Sequence, residues 1–166
     1  MATLTSNLNF LQPTGFKVVI SRTNYPNIEY FVQSITHPGA TVPAVEVPSL
    51  RIRSVPVAGD KIAYDELSLT LVLDENMESY KEMHSWLERI VNFGQVNQRD
   101  IPPEDQIPTF ADITLSILSS HNNENVKFRY KDCVPTGIGT INFTSVENTT
   151  YTTFDATFRF STFEIL

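Results

Sequence analysis

Asp60, Asp65 and Glu66 place three carboxylates within seven positions, a cluster that could in principle do general acid/base work. Their surroundings argue for a plainer role. Asp60 follows Gly59 as turn chemistry, while Asp65 and Glu66 open an alternating stretch on its polar side. The histidines His37, His84 and His121 are far apart and share no metal-ligand spacing; His84 is followed four residues on by Glu88 where a zinc-protease helix has a second histidine. Cys133, the single cysteine, has no histidine beside it and precedes a proline turn, so it reads as a small buried apolar residue rather than a nucleophile. Gly137-Ile138-Gly139 reads as a two-glycine turn, without the Lys-Ser/Thr of a phosphate cradle. No catalytic, cofactor-binding or metal-binding residue is assigned, and the chain is not expected to be an enzyme.

Composition narrows the partners. A formal net charge of −7 argues against wrapping nucleic acid, since duplex binding relies on basic groups that displace counterions from phosphates. The lone cysteine suits a reducing compartment. Met1 to Phe10 lacks the basic and apolar regions of a leader, and no apolar run is long enough to span a bilayer. The expectation is a soluble protein made in the cytoplasm, with residues 1–166 as one domain.

Period-two alternation dominates the elements that must position any surface. Leu67, Leu69, Leu71 and Leu73 form one unbroken apolar side, and Ala111 to Ile117, Val126 to Tyr130 and Thr153 to Ser161 alternate in the same way. Phe16 to Ser21, Ile28 to Thr36 and Ile138 to Val146 are weaker strand candidates. Residues 76–93 instead carry a helical stripe through Met77, Tyr80, Met83, Leu87, Ile90 and Val91, with Trp86 widening it against the core, Asp74 or Asn76 as cap and Gly94 as stop. Residues 94–110 read as a proline-bearing loop, and Asn122 to Asn125 as a hairpin turn. The fold class expected is mainly β: an antiparallel sandwich or partial barrel of about seven strands with one α-helix. Its closing stretch, Tyr151 to Ile165, carries one basic residue, Arg159, and so reads as an edge that closure between subunits would remove.

Residues 37–65 form an arm. Pro38, Pro43, Pro48 and Pro56 exclude helix there, and the intervening Val42, Val45, Val47, Leu50, Ile52 and Val55 are β-formers with few partners nearby. Such a segment either folds back on its own subunit as an irregular hairpin or docks on a neighbouring copy.

The order of these motifs resembles the tail tube proteins of contractile-tailed bacteriophages of the T-even type. The resemblance is carried by the proline arm leading into Val57-Ala58-Gly59-Asp60, the step Tyr64-Asp65-Glu66, the alternating strand ending in Asp74-Glu75, and the helix with Trp86. Pro135-Thr136-Gly137-Ile138-Gly139 and Thr153 to Phe158 extend it to most of the chain from Phe16 onward, with departures at the N-terminus and in the loop before Pro108. It implies a hexameric ring in which strands of six copies close one wide barrel. Stacked rings would form a tube that conducts DNA into the host, bound to sheath and to baseplate or terminator proteins in the virion tail. A baseplate-proximal initiator, or another ring adaptor of a contractile injection system, is the alternative.

On that resemblance, Pro38, Val42, Pro43, Val45, Val47, Leu50, Val57, Gly59 and Asp60 are expected in contacts between rings or subunits. Thr153, Asp155, Thr157 and Ser161 are expected on the lumen face, with an outer solvent face as the other reading. Six copies at −7 would give about −42 per ring, a charge that repels phosphates and lets DNA slide without specific binding.

Overall fold

The computed structural model describes residues 10–21, 24–49, 53–91, 108–146 and 151–166. Its strands are β1 (Phe16–Val19), β2 (Val32–Thr36), β3 (Ala40–Thr41), β4 (Ala44–Ser49), β5 (Arg53–Ala58), β6 (Ala63–Tyr64), β7 (Leu67–Val72), β8 (Ala111–Leu118), β9 (Glu124–Ile138), β10 (Thr153–Arg159) and β11 (Thr162–Ile165). Two helices, α1 (Pro26–Phe31) and α2 (Glu78–Val91), complete it. Seven strands form one antiparallel sheet in the order β1-β8-β9-β10-β7-β2, with β11 also on β9. The architecture is therefore mainly β, as expected.

The sheet is bent through its longest strand. Arg159 pairs with Val134 and Thr162 with Lys131 in one continuous register, so β10 and β11 run along the same side of β9. β8 and β1 extend the sheet from the other side of β9's first half, while β7 and β2 extend it from β10. Asp132 sits at the bend with φ 53, a left-handed value that aspartate tolerates better than most side chains. The two wings enclose the core: Val18, Ile113 and Leu115 from one, Leu67, Leu69 and Leu71 from the other, with Phe154, Ala156 and Phe158 of β10 between them.

Helix α2 closes one end. Ser79, Met83 and Trp86 are its buried row, and Trp86 stacks on Tyr25 at 4.2 Å while its Nε1 donates to the Thr109 carbonyl at 2.8 Å. The buried face is thus turned from the stripe read in the sequence, since Val91 is exposed and Met77, at φ 55, precedes the helix. The Glu78 N–H donates to Asp74 Oδ1 at 2.8 Å, which makes Asp74 rather than Asn76 the cap. Asp74→Ala is expected to cost about 1 kcal/mol, read as a lowered melting midpoint with the native circular dichroism spectrum retained.

Several expectations need correction. Ile28 lies in helix α1, which starts at Pro26 and leaves only Val32–Thr36 as strand: proline suits the first helical turn, and the Glu82 carboxylate accepts from the Asn27 and Ile28 N–H groups there. The candidate strand Ile138 to Val146 ends at Ile138. Gly137 and Ile138 are the end of β9, not a turn; Gly139 follows, its N–H bonded to the Asp155 carbonyl. Tyr151 to Ile165 is two strands, and β10 is interior rather than an edge. Leu50, residues 92–93 of the helical stretch and residues 94–107 of the loop lie outside the described residues.

Candidate assembly surfaces

The arm is a two-stranded ribbon. Val45 pairs with Val57 and Val47 with Val55, so four valines lie on one face, while Glu46, Pro48, Ser54 and Pro56 lie on the other. β4 and β5 pair chiefly with each other, and the four valines remain 46–57% exposed. Among the described residues the ribbon makes no extensive packing against the main sheet. A lone hairpin is marginal in water, and a contiguous exposed apolar face of this kind is a candidate contact surface.

At the ribbon's root, Gly59 donates its N–H to the Pro43 carbonyl at 3.0 Å, and a Cβ on Gly59 would stand 2.3 Å from that oxygen. Close approach, not left-handed backbone, is what requires glycine here. Below it, Asp65 N–H donates to the Gly39 carbonyl at 3.0 Å, and β3 pairs with β6. Of the residues expected in contacts, Val42, Pro43, Val45, Val47, Val57 and Asp60 are exposed, whereas Pro38 is buried in its own chain and belongs to the root. Val55, absent from that set, completes the valine face; the mirrored Val-x-Val spacing on either side of residues 50–52 is the signal for it.

The outward side of β10 carries the other candidate surface. Thr153, Asp155 and Thr157 point away from the core, Asp155 accepts from Thr70 Oγ1 at 2.8 Å, and Thr136 Oγ1 donates to Thr157 Oγ1 at 3.1 Å. This wing presents hydroxyls around one carboxylate, with the Glu66–Arg159 pair at its margin. Ser161 does not continue the row, since it sits at the β10–β11 break and donates to Asp132 Oδ2 at 2.9 Å. The opposite wing carries Lys127, Arg129 and Lys131, each paired with an acid. Burial alone would raise the Asp112 carboxyl there, but hydrogen bonds from Arg129 and the Asp132 backbone outweigh it and hold it below the usual carboxylate range.

Chemical candidates stay apart. Glu66 is engaged by Arg159, Asp65 lies at the arm root, and Asp60 is exposed on the turn. Cys133 is buried, and burial pushes its thiol up to about 12, where it is a poor nucleophile. His84 lies on the exposed helix face 3.6 Å from Glu88. Among the described residues no group of three or more His, Cys, Asp or Glu side chains could hold a metal, and no helix is long and apolar enough to cross a membrane.

Similar architecture occurs in components of contractile injection systems. The chain is similar to a component of the extracellular contractile injection system PVC sheath-tube complex (14% identity, 99% of each chain, TM-score 0.67). It is also similar to a chain of the anti-feeding prophage tube-terminating cap (13% identity, 99% of this chain and 95% of that one, TM-score 0.68). A third resemblance is to a chain of the anti-feeding prophage baseplate (12% identity, 100% and 97% covered, TM-score 0.62). At these identities the likeness is one of fold. No curated protein matches the chain. The phage tail tube protein family model matches residues 3–166, nearly the whole sequence, and so the chain belongs to the phage tail tube protein family, a structural component of the phage tail rather than an enzyme.

Proposed function

We propose that this chain is the repeating subunit of a phage tail tube, built as stacked hexameric rings whose lumen conducts DNA into the host. The observation that carries this reading is the exposed valine face of an arm that its own subunit leaves uncovered. Docked on a copy in the next ring, that face loses its water and the marginal hairpin gains its missing support.

Lateral closure has its own support. Among the described residues β2 has a strand on one side only, and beyond Cys133 the β8 side of β9 carries none. A β2 edge set against the β9 tail of the next copy continues the antiparallel alternation β2-β7-β10-β9. Such a head-to-tail contact closes a ring and removes both edges. Thr153, Asp155 and Thr157 then face the lumen, where the one cation of the row, Arg159, is already paired with Glu66 and the rest is hydroxyls and a carboxylate. Sheath, baseplate and terminator proteins are the partners of such a tube, assembled in the host cytoplasm and carried in the virion.

The test is a double charge substitution, Val47→Lys with Val55→Lys, followed by sedimentation and negative-stain microscopy. The variant is expected to fold and to lose at least about tenfold of its polymer, since two buried ammonium groups would each forfeit solvation. Wild-type tube length in the variant would contradict arm docking. Wild-type protein that yields isolated rings and no tubes would favour the initiator.

A further inference from the structure

Both legs of the arm leave the sheet across one aromatic cluster. His37, at the end of β2, packs against Phe128 of β9 at 4.8 Å, Phe163 of β11 at 5.3 Å and Tyr130 at 6.0 Å between ring centroids. Tyr64, on the returning leg, packs against Phe160 at 5.4 Å and the same Phe163 at 5.3 Å. Between them runs His37-Pro38-Gly39, a short link to β3 in which Pro38 is buried. The only polar contact across the cluster among the described residues joins His37 Nδ1 to Tyr130 Oη at 2.6 Å.

We propose that this cluster is a pH-sensitive clamp, in which the neutral His37 ring holds the root of the arm and its protonation lets the arm go. The Tyr130 ring is fully buried, and burial raises its hydroxyl above its ordinary range, so the phenol keeps its proton; with no other acceptor beside it among the described residues, we assign that proton to a hydrogen bond onto an unprotonated Nδ1. When His37 gains a proton, Nδ1 becomes a donor too. The Tyr130 hydrogen must then turn away, and among the described residues no second acceptor stands beside it.

The neighbouring charges do not compensate. Arg129 and Lys131 of β9 and Glu164 of β11 alternate to the far face of the sheet, in the pairs Arg129–Asp112 and Lys131–Glu164. Asp65, on the returning leg, sets its carboxylate against Gly39 and makes no ion pair with His37 among the described residues. His37 is partly open to solvent, and the partial burial of its ring against the cluster lowers it below its ordinary value of 6.5. A lowered histidine stabilises the folded clamp above about pH 6.5, and that contribution is lost as the pH falls through the lowered value. The consequence for assembly, arms that release the neighbouring copy in acid, rests on the tube reading above.

Hydrogen–deuterium exchange at the Asp65 amide, which closes the root onto Gly39, tests the clamp on the full chain in whatever assembly it forms. After correction for the intrinsic pH dependence of exchange, protection is expected to fall at least about threefold from pH 7.5 to pH 5.5. His37→Gln, whose amide accepts the Tyr130 hydrogen bond and does not titrate, is expected to abolish that fall. Tyr130→Phe should shrink it, and His84→Gln should leave it as in the wild type. Unchanged wild-type protection, or an undiminished fall in His37→Gln or Tyr130→Phe, would overturn the proposal. Either result leaves tube formation at neutral pH as a separate question.

Discussion

Leu69→Asp is expected to yield a chain that does not fold. Leu69 has no exposed surface and lies in register between Ile35 of β2 and Ala156 of β10, at the centre of the wing that faces α2. The substitution removes roughly 1.5–3 kcal/mol of apolar burial. It also sets a carboxylate among Leu67, Leu71 and Phe158 with no partner, which adds several kcal/mol. Total stabilities of about 5–15 kcal/mol leave little after such a loss. Circular dichroism should show no cooperative melt and the protein should collect in the insoluble fraction; a soluble variant melting near the wild type would mean that the inward face of β7 is misassigned.

Gly59→Val is expected to do the opposite, sparing the fold and abolishing assembly. The added Cβ would stand 2.3 Å from the Pro43 carbonyl oxygen, a separation that backbone must open to relieve. Opening it breaks the Gly59–Pro43 hydrogen bond and slips the Ala44–Ala58 register, which swings the valine face out of line. Because the ribbon packs chiefly on itself, the strain has no route into the core, and the melting midpoint should hardly move. Polymer should disappear from sedimentation profiles. Normal tubes formed by this variant would show that the arm is not the stacking element.

These outcomes differ because the core and the arm were legible to different degrees. Leu67, Leu69 and Leu71 announce a buried strand by period alone, and all three are buried. Proline spacing announces an extended arm, but not which of its faces is apolar; that depends on pairing Val45 with Val57 across a turn, a non-local register. Helix α1 escaped detection because its six residues are too few to display a helical period. The alternation of β10 read as an edge because periodicity reports which side is buried and says nothing about which strands lie beside it. The aromatic clamp was invisible for a related reason: His37, Tyr64, Phe128, Tyr130, Phe160 and Phe163 are scattered along the chain and meet only where β9 bends.

The proposed tube requires that another copy of this chain bury the uncovered valine face of the arm. Cryo-electron microscopy of the purified, assembled protein shows whether it does. The expected reconstruction is a hollow tube of stacked six-fold rings, with Val45, Val47, Val55 and Val57 packed against an adjacent copy and the Asp155 row on the inner wall. A monomer at every concentration tried, or a tube in which the four valines stay in solvent, would contradict it.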